Sequence, residues 1–269
     1  MAPRSEFYIS ASEEPHAARR REILSKHPEI EELFVPDARP VPVCLLIIAS
    51  QLILAYLQSS LPWWGFLLLT WSYGGAASHS LSLMTHEVSH NLVFRANRLN
   101  DCFGMLCNVG MGFPSSTVFK RYHLEHHQFQ GHQAIDCDVP TPFEGTYFSS
   151  VAMKALWVFF MPLTYGARPQ HIRPKKYRSL DIANTIVILF TNAFIAYVCG
   201  PRGLLYILLS TILGMGLHPL AGHFIAEHFV FEPGFETYSY YGKLNLLCWN
   251  VGYHNEHHDF PRVRKLSIS

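Results

Sequence analysis

Apolar and polar positions fall in long blocks along this chain. No Asp, Glu, Lys or Arg occurs between Arg39 and Glu87. Ser59-Ser60-Leu61-Pro62 divides that stretch into two apolar runs, Val41 to Gln58 and Trp63 to Met84. Each approaches the roughly 20 residues that a helix needs to cross a bilayer at about 1.5 Å per residue. A second charge desert runs from Ile182 to Ala226, interrupted only by Arg202 within Gly200-Pro201-Arg202-Gly203. Its halves, Ile182 to Cys199 and Leu204 to Leu220, predict a second helical hairpin. Between the hairpins, the apolar stretch Tyr147 to Tyr165 contains Lys154 and Pro162. It is predicted as an interfacial helix with Trp157 at headgroup level, because a single extra crossing would put the two halves of the protein on opposite sides. Glu13 to Phe34 is charged and helical in pattern, and reads as a solvated cytosolic or surface-lying helix.

The distribution of charge orients this arrangement. Of 21 Lys and Arg residues, six precede the first hairpin, ten lie between the hairpins, four follow the second, and Arg202 stands alone on the other side. The positive-inside rule therefore places both termini and the central segment in the cytosol. The predicted fold is an all-α membrane protein with four transmembrane helices as two hairpins and a cytosolic histidine-rich cap. Residues 1–40 form a cytosolic N-terminal segment and residues 41–269 the membrane domain. Charged residues make up only 15% of the chain against 49% apolar, and the net charge of +1 includes no long basic run, which excludes nucleic acid as a partner. The six cysteines lack any CxxC pair, as expected of free thiols in a reducing setting. The start Met-Ala-Pro-Arg-Ser-Glu-Phe has no signal-peptide core, and Ala2 excludes myristoylation, so internal helices must provide any membrane insertion.

Three histidine patterns carry the chemistry: His86-Glu-Val-Ser-His90, His123-Leu-Glu-His126-His127 and His254-Asn-Glu-His257-His258. Residues three and four apart share a helix face, so each pattern aims two or three imidazoles at one point. Chance gives on the order of 0.06 copies of HxxHH at this histidine content, and the chain has two. An even number of crossings separates the second and third clusters, and the first ends a hairpin, so all three can meet on the cytosolic face. Ionisable groups beside a bilayer need partners, and a metal supplies one. Imidazole suits zinc, copper, nickel and iron alike. Eight or nine ligands, however, exceed one tetrahedral zinc and divide into two centres of four or five nitrogens each. Two redox-active irons with room for O₂ between them fit that count.

His228 is the expected ninth ligand, with His223, five residues away on a different helical face, in a supporting place. His79, two turns before His86, is expected to support the site from behind. Asp136 and Asp138, with Glu87, Glu125, Glu256 and Asp259, are candidate acceptors for imidazole N–H groups, and Asn250 could reach a metal through water. His16, His27, His132, His171 and His218 have no partner at motif spacing and read as ordinary histidines.

The set HxxxH, HxxHH, HxxHH across two hairpins resembles the integral-membrane fatty-acyl desaturases and hydroxylases. Longer strings resemble the sphingolipid delta(4)-desaturases in particular: Glu14-Pro-His-Ala-Ala-Arg-Arg-Arg-Glu-Ile-Leu, Phe119-Lys-Arg-Tyr-His-Leu-Glu-His-His, Asp136-Cys-Asp-Val-Pro-Thr, Gly222-His-Phe-Ile-Ala-Glu-His, Glu236-Thr-Tyr-Ser-Tyr-Tyr-Gly and Asn250-Val-Gly-Tyr-His-Asn-Glu-His-His-Asp-Phe-Pro. That resemblance implies a trans C4–C5 double bond introduced into dihydroceramide to give ceramide at the endoplasmic reticulum membrane. It also implies two Fe ions, O₂, and electrons from NADH through cytochrome b5 reductase and cytochrome b5, the latter a separate protein because no His-Pro-Gly-Gly string occurs here. The metal ligands would be His86, His90, His123, His126, His127, His228, His254, His257 and His258. Substrate chains would thread an apolar tunnel beside Trp63, Trp64 and Trp71. Some relatives hydroxylate C4 instead, and a membrane zinc ceramide amidase is a rival that would leave five clustered histidines without a purpose. The family usually continues several dozen residues past its third box, whereas this sequence stops at Ser269, which is expected to open the site or cost stability. The family's N-terminal glycine, an acylation site, is also absent.

Overall fold

The computed structural model describes residues 14–228, 232, 235 and 237–264, without the side chains of residues 225 and 226. The start of the chain, the beginning of the Glu236–Gly242 string and Lys265–Ser269 lie outside the described residues. Among the described residues the chain is helical, with one isolated bridge between Glu232 and Phe235 and no strand. The helices are α1 (His16–Lys26), α2 (Val41–Leu57), α3 (Trp63–Leu69), α4 (Gly75–Ser89), α5 (Asn97–Met111), α6 (Ser116–His126), α7 (Pro142–Tyr147), α8 (Val151–Ile172), α9 (Ser179–Met215), α10 (His223–His228) and α11 (His254–Asp259). They divide into two compact units, residues 36–121 with 176–221, and residues 1–35 with 122–175 and 222–269.

The first unit holds the long apolar helices. Pro40 and Pro42 open α2, where their missing N–H groups cost nothing. After the turn at Gln58–Ser60, α3 starts behind Pro62 and runs through a π-helical stretch, Thr70–Gly74, into α4. α9 is two helices in one run: Gly200, at φ 74° and followed by Pro201, breaks it. Arg202 bridges the two turns of this unit. Its guanidinium donates to the carbonyls of Ser59 (3.3 Å) and Leu61 (2.7 Å) and lies over the Trp63 ring.

Among the described residues, two helical stretches are long and apolar enough to cross a membrane, Val41–Ser60 and Ser179–Gly222. The four separately predicted spans thus resolve into two such stretches. The second contains both halves of the predicted later hairpin, and the Trp63–Met84 run is interrupted by the π turn and is rich in small and polar residues. Leu46, Trp64, Phe190 and Tyr197 are each at least 70% exposed, so the apolar coat faces outward as well as inward, the mark of helices in lipid rather than water. Trp63 and Trp71 are also exposed, at 61% and 40%, so these three tryptophans form part of that coat rather than lining an internal tunnel.

Small residues let the helices of this unit touch. A Cβ on Gly214 of α9 would lie 2.2 Å from the carbonyl oxygen of Gly75 in α4, and one on Gly203 would lie 2.7 Å from that of Ala55 in α2. Close backbone approach at small residues is how membrane helices gain packing energy without a hydrophobic driving force. Ala55, Phe66, Ile195, Tyr206 and Ile207 fill the space between them. α5, a helix that charge blocks and motifs did not announce, packs against α4 and ends at Gly112 in the left-handed conformation (φ 77°).

The second unit is built of shorter pieces. α8 extends beyond the predicted interfacial stretch to Ile172, and Trp157 on it is buried. Its indole N–H donates to Glu144 Oε1 (3.0 Å), whose carboxylate also takes the Arg168 guanidinium at 2.7 Å. A capping box between Thr141 and Glu144 starts α7, so one buried carboxylate closes both helices. The N-terminal helix α1 is not simply solvated: His16 is 2% exposed.

Candidate metal centre

Histidine spacing on α6 and α11 sorts the imidazoles into two groups. At positions i, i+3 and i+4, the first and third side chains of an HxxHH box lie on one edge of the helix and the second is rotated away. Accordingly His123 and His127 meet His257, with ring nitrogens within 4.8 Å of one another, while His126 meets His258 and His228 within the same limit. Each group thus draws from both boxes, and His254 joins the second, its Nε2 lying 2.9 Å from His228 Nε2 and 3.1 Å from His258 Nε2. His123 Nε2 and His127 Nε2 are likewise 3.1 Å apart. Two nitrogens held at right angles on one ion, at about 2.1 Å each, are separated by about 3 Å.

The donor set fits a metal on a second ground. His126 Nε2, His228 Nδ1 and His258 Nδ1 are buried with no hydrogen-bond partner. Buried polar nitrogens are normally satisfied, and His126 Nε2, whose ring partner Nδ1 is taken by Asp136, therefore calls for a ligand that hydrogen bonds do not supply.

Carboxylates hold the rings from behind. Asp136 Oδ2 lies 2.9 Å from His126 Nδ1 and also accepts from the Gly131 amide (2.8 Å), and Asp138 Oδ2 lies 2.9 Å from His123 Nδ1. On α10, His223 Nδ1 is 2.6 Å from Glu227 Oε1, and that oxygen lies 3.4 Å from His254 Nδ1. His228, one turn on, points its ring at the second group instead, 4.4 Å from the His126 centroid. Carboxylate–imidazole pairs of this kind fix the tautomer so that the other nitrogen faces the metal.

The same network sets the electrostatics. Burial works against a charged His126, but Asp136 and Asp138 outweigh it and raise the imidazole to about 9. His228 is pushed down to about 3 by burial and by the neighbouring His126, and His258 is lowered well below its ordinary range by burial and by four surrounding histidines. Despite burial, Asp138 is held well below the usual carboxylate range by His126 and His123 and by its bond to Tyr165.

Of the acids inside the boxes, Glu125 and Glu256 turn away from the imidazole groups, whereas Glu87 stays beside one. Glu125 pairs with Lys175 (2.6 Å), Glu256 accepts from Ser239 and Tyr241, and Glu87 lies 3.3 Å from His86 Nδ1. Asp259 takes its partners from the N-terminal helix. Asn250 has φ 59° and Trp249 φ 51°, so this pair makes the left-handed turn that delivers α11. Asn245 fixes that turn from inside, accepting from Gly252 N (3.0 Å) and donating to Tyr240 O (2.6 Å).

In the other unit, His86 and His90 close the C-terminal end of α4 with ring centroids 5.0 Å apart, and His86 is 8% exposed. His79 is buried with Nδ1 3.0 Å from the Gly214 carbonyl. Sequence reasoning passed over His16, Gln130, Tyr165 and Glu227. His16, Gln130 and Tyr165 do not stand at metal-ligand spacing, and His16 lies 70 residues before its nearest box, His86–His90.

Comparison with known proteins shows the family. The fatty acid desaturase profile matches residues 60–265, and that of the sphingolipid Delta4-desaturase (DES) segment matches residues 3–39. The chain belongs to the fatty acid desaturase family, in its sphingolipid delta(4)-desaturase branch. It is 47% identical over 264 residues to sphingolipid delta(4)-desaturase DES1 of Xenopus tropicalis, covering 97% of this chain and 82% of that protein. The Mus musculus protein of that name is 47% identical over 262 residues (97% and 81%), and that of Homo sapiens 44% over 267 residues (98% and 83%). No solved structure matches.

Proposed function

We propose that this chain is a sphingolipid delta(4)-desaturase, an oxidoreductase that introduces a trans double bond between C4 and C5 of dihydroceramide to give ceramide. The carrying observation is the sorting of box histidines into two groups, with three orphaned nitrogens in one of them. Kinship to the DES1 proteins over 97% of the chain names the lipid.

The proposed metal is two irons. His126, His228, His254 and His258 would hold one, and His123, His127 and His257 the other; the resemblance adds the HxxxH pair His86 and His90 to the ligand set. When bound, the irons supply the O₂ activation that removes hydrogen from C4 and C5. Each turnover takes two hydrogens from the lipid and two electrons from NADH through cytochrome b5 reductase and cytochrome b5, reducing O₂ to two waters. The chain's own part is to orient and to keep dry. Asp136, Asp138 and Glu227 fix imidazole orientation, and burial of the group around His126 excludes water from competing with O₂ and lipid.

The proposed setting is the endoplasmic reticulum membrane, with termini and histidine boxes cytosolic and four crossings: α2, α3 with α4, and the two halves of α9. Support for the hairpin pairing comes from Arg202, which ties the turn after α2 to the break in α9.

The test is expression in a cell lacking its own delta(4)-desaturase, fed dihydroceramide, with lipids resolved by mass spectrometry. Ceramide is the expected product. Dominance of the 4-hydroxylated lipid would make the chain a C4-hydroxylase, and release of free sphingoid base with one zinc per chain would make it an amidase. Two irons per purified chain is the expected metal content.

A further inference from the structure

α11 carries three of the box imidazoles on only six residues. A helix of that length does not hold itself in water or elsewhere, so the directions of His254 and His258 are set by whatever grips α11 from outside. Ser239 and Tyr241 hold Glu256 on one side, and α1 grips the end that carries Asp259. Arg19 Nε donates to both oxygens of Asp259 (2.8 and 2.9 Å), and its Nη2 donates to Asn255 Oδ1 (2.9 Å). Arg20 reaches the Asp259 carbonyl at 3.3 Å, one of the last helical carbonyls, which have no partner within the helix. His16 Nδ1 lies 2.7 Å from Asp259 Oδ1 and 2.9 Å from Arg19 Nη2, and its Nε2 lies 2.8 Å from the Thr237 hydroxyl. Gln130, four residues past His126, donates to the same Thr237 oxygen at 2.9 Å.

Both ring nitrogens of His16 are thus committed, which makes it a strut and not a tenth ligand. The strut is buried: His16 is 2%, Asp259 6% and Thr237 9% exposed. Its ring lies against the His258 ring at 5.0 Å, in line with the imidazole that carries one of the orphaned nitrogens. Arg19 is the planar fork that suits a bidentate grip on a carboxylate.

We propose that the His16–Arg19 face of α1 is the positioning element of the metal group around His126, acting through Asp259 to keep His254 and His258 turned inward. The N-terminal segment that marks the sphingolipid branch would then be coupled directly to one of the two metal centres. This inference rests on the di-iron reading.

The experiment compares wild type, His16→Ala, Arg19→Ala, Arg19→Lys, Thr237→Val and Lys26→Ala, each purified as the full chain in detergent. Iron per chain and the Mössbauer spectrum are read alongside kcat and KM. Wild type is expected to hold two irons. His16→Ala and Arg19→Ala should fall to about one, losing one quadrupole doublet, with kcat down at least tenfold and KM within twofold. Arg19→Lys, which keeps charge but not the fork, should recover part of the lost iron. Lys26, on the exposed side of the same helix with Glu22, should leave all readouts unchanged.

If His16→Ala does not fold, Thr237→Val removes only the hydroxyl at the far end of the strut and should still lower iron occupancy and alter the spectrum. Two irons, an unaltered spectrum and wild-type kcat in the folded strut variants would overturn the proposal. A wild type holding a different metal or a single ion would instead overturn the di-iron reading, and the strut would still be judged by whether His16→Ala or Thr237→Val loses that metal. A wild type without metal would overturn both.

Discussion

The two units bury polar groups for opposite ends. In the unit of long apolar helices many of the buried polar side chains are neutral and serve one another: the Tyr206 hydroxyl donates to Gln51 Oε1 (2.7 Å), and Gln51 Nε2 donates to Ser78 Oγ (3.0 Å). Asn184 and Asn108 pair in the same way at 3.0 Å. The atoms left over there, such as Ser210 Oγ and Asn192 Oδ1, are single and scattered. In the other unit most buried polar side chains are titratable, and His126, His228 and His258, each with a buried nitrogen that lacks a hydrogen bond, bring ring nitrogens within 4.8 Å of one another. Isolated orphans are a packing cost, whereas those on clustered rings mark a place for a ligand.

The comparison breaks most sharply at the ligands. His126→Ala and His258→Ala should each abolish ceramide formation in the null cell and remove metal from the purified protein, and turnover retained in both would deny these side chains their role. Next in size, Gly214→Leu in the other unit should force α4 and α9 apart and cost about 3 kcal/mol. A detergent melt would read this as a lower Tm and reduced yield rather than as selective metal loss. Asp136→Asn keeps the shape but weakens the orienting bond to His126, so metal affinity in chelator competition should fall about 10- to 100-fold with the fold intact. Tyr206→Phe leaves Gln51 Oε1 without its donor and should cost about 1 kcal/mol, seen as a small drop in Tm at full metal content.

The subtlest expected effect is the pH profile of chelator-stripped protein. His126 is raised to about 9 in the fold against 6.5 in the unfolded chain. Its stabilising contribution is therefore complete below pH 6.5 and is lost as pH climbs through 9. His228 is depressed to about 3, so its contribution is complete above 6.5 and is lost as pH falls toward 3. Metal-free protein should melt highest near pH 6.5 and lower on either side, and a monotonic profile would contradict the opposed shifts.

Much of the site was legible because helical spacing is local. The HxxHH boxes announce convergent imidazoles from sequence alone, and the five-residue separation of His223 and His228 already required them to face different ways, as they do on α10. Charge deserts located the apolar helices, and Gly200-Pro201 marked the break within the second of them. The burial of Trp157 was not legible because an aromatic in an apolar run looks interfacial until its partner, Glu144, is known. His16 was passed over for the same reason, since its partners Thr237 and Asp259 lie more than two hundred residues away.

By itself, then, the sequence determined which histidines cluster, how they are phased on each helix, and which stretches are apolar, because these depend on residue type and on the fixed 3.6-residue turn. Only the tertiary structure decided how two boxes share their histidines between two groups, which carboxylate orients which ring, and that a helix at the start of the chain steadies one near its end. Those choices depend on contacts between residues far apart in sequence, for which spacing along the chain carries no signal.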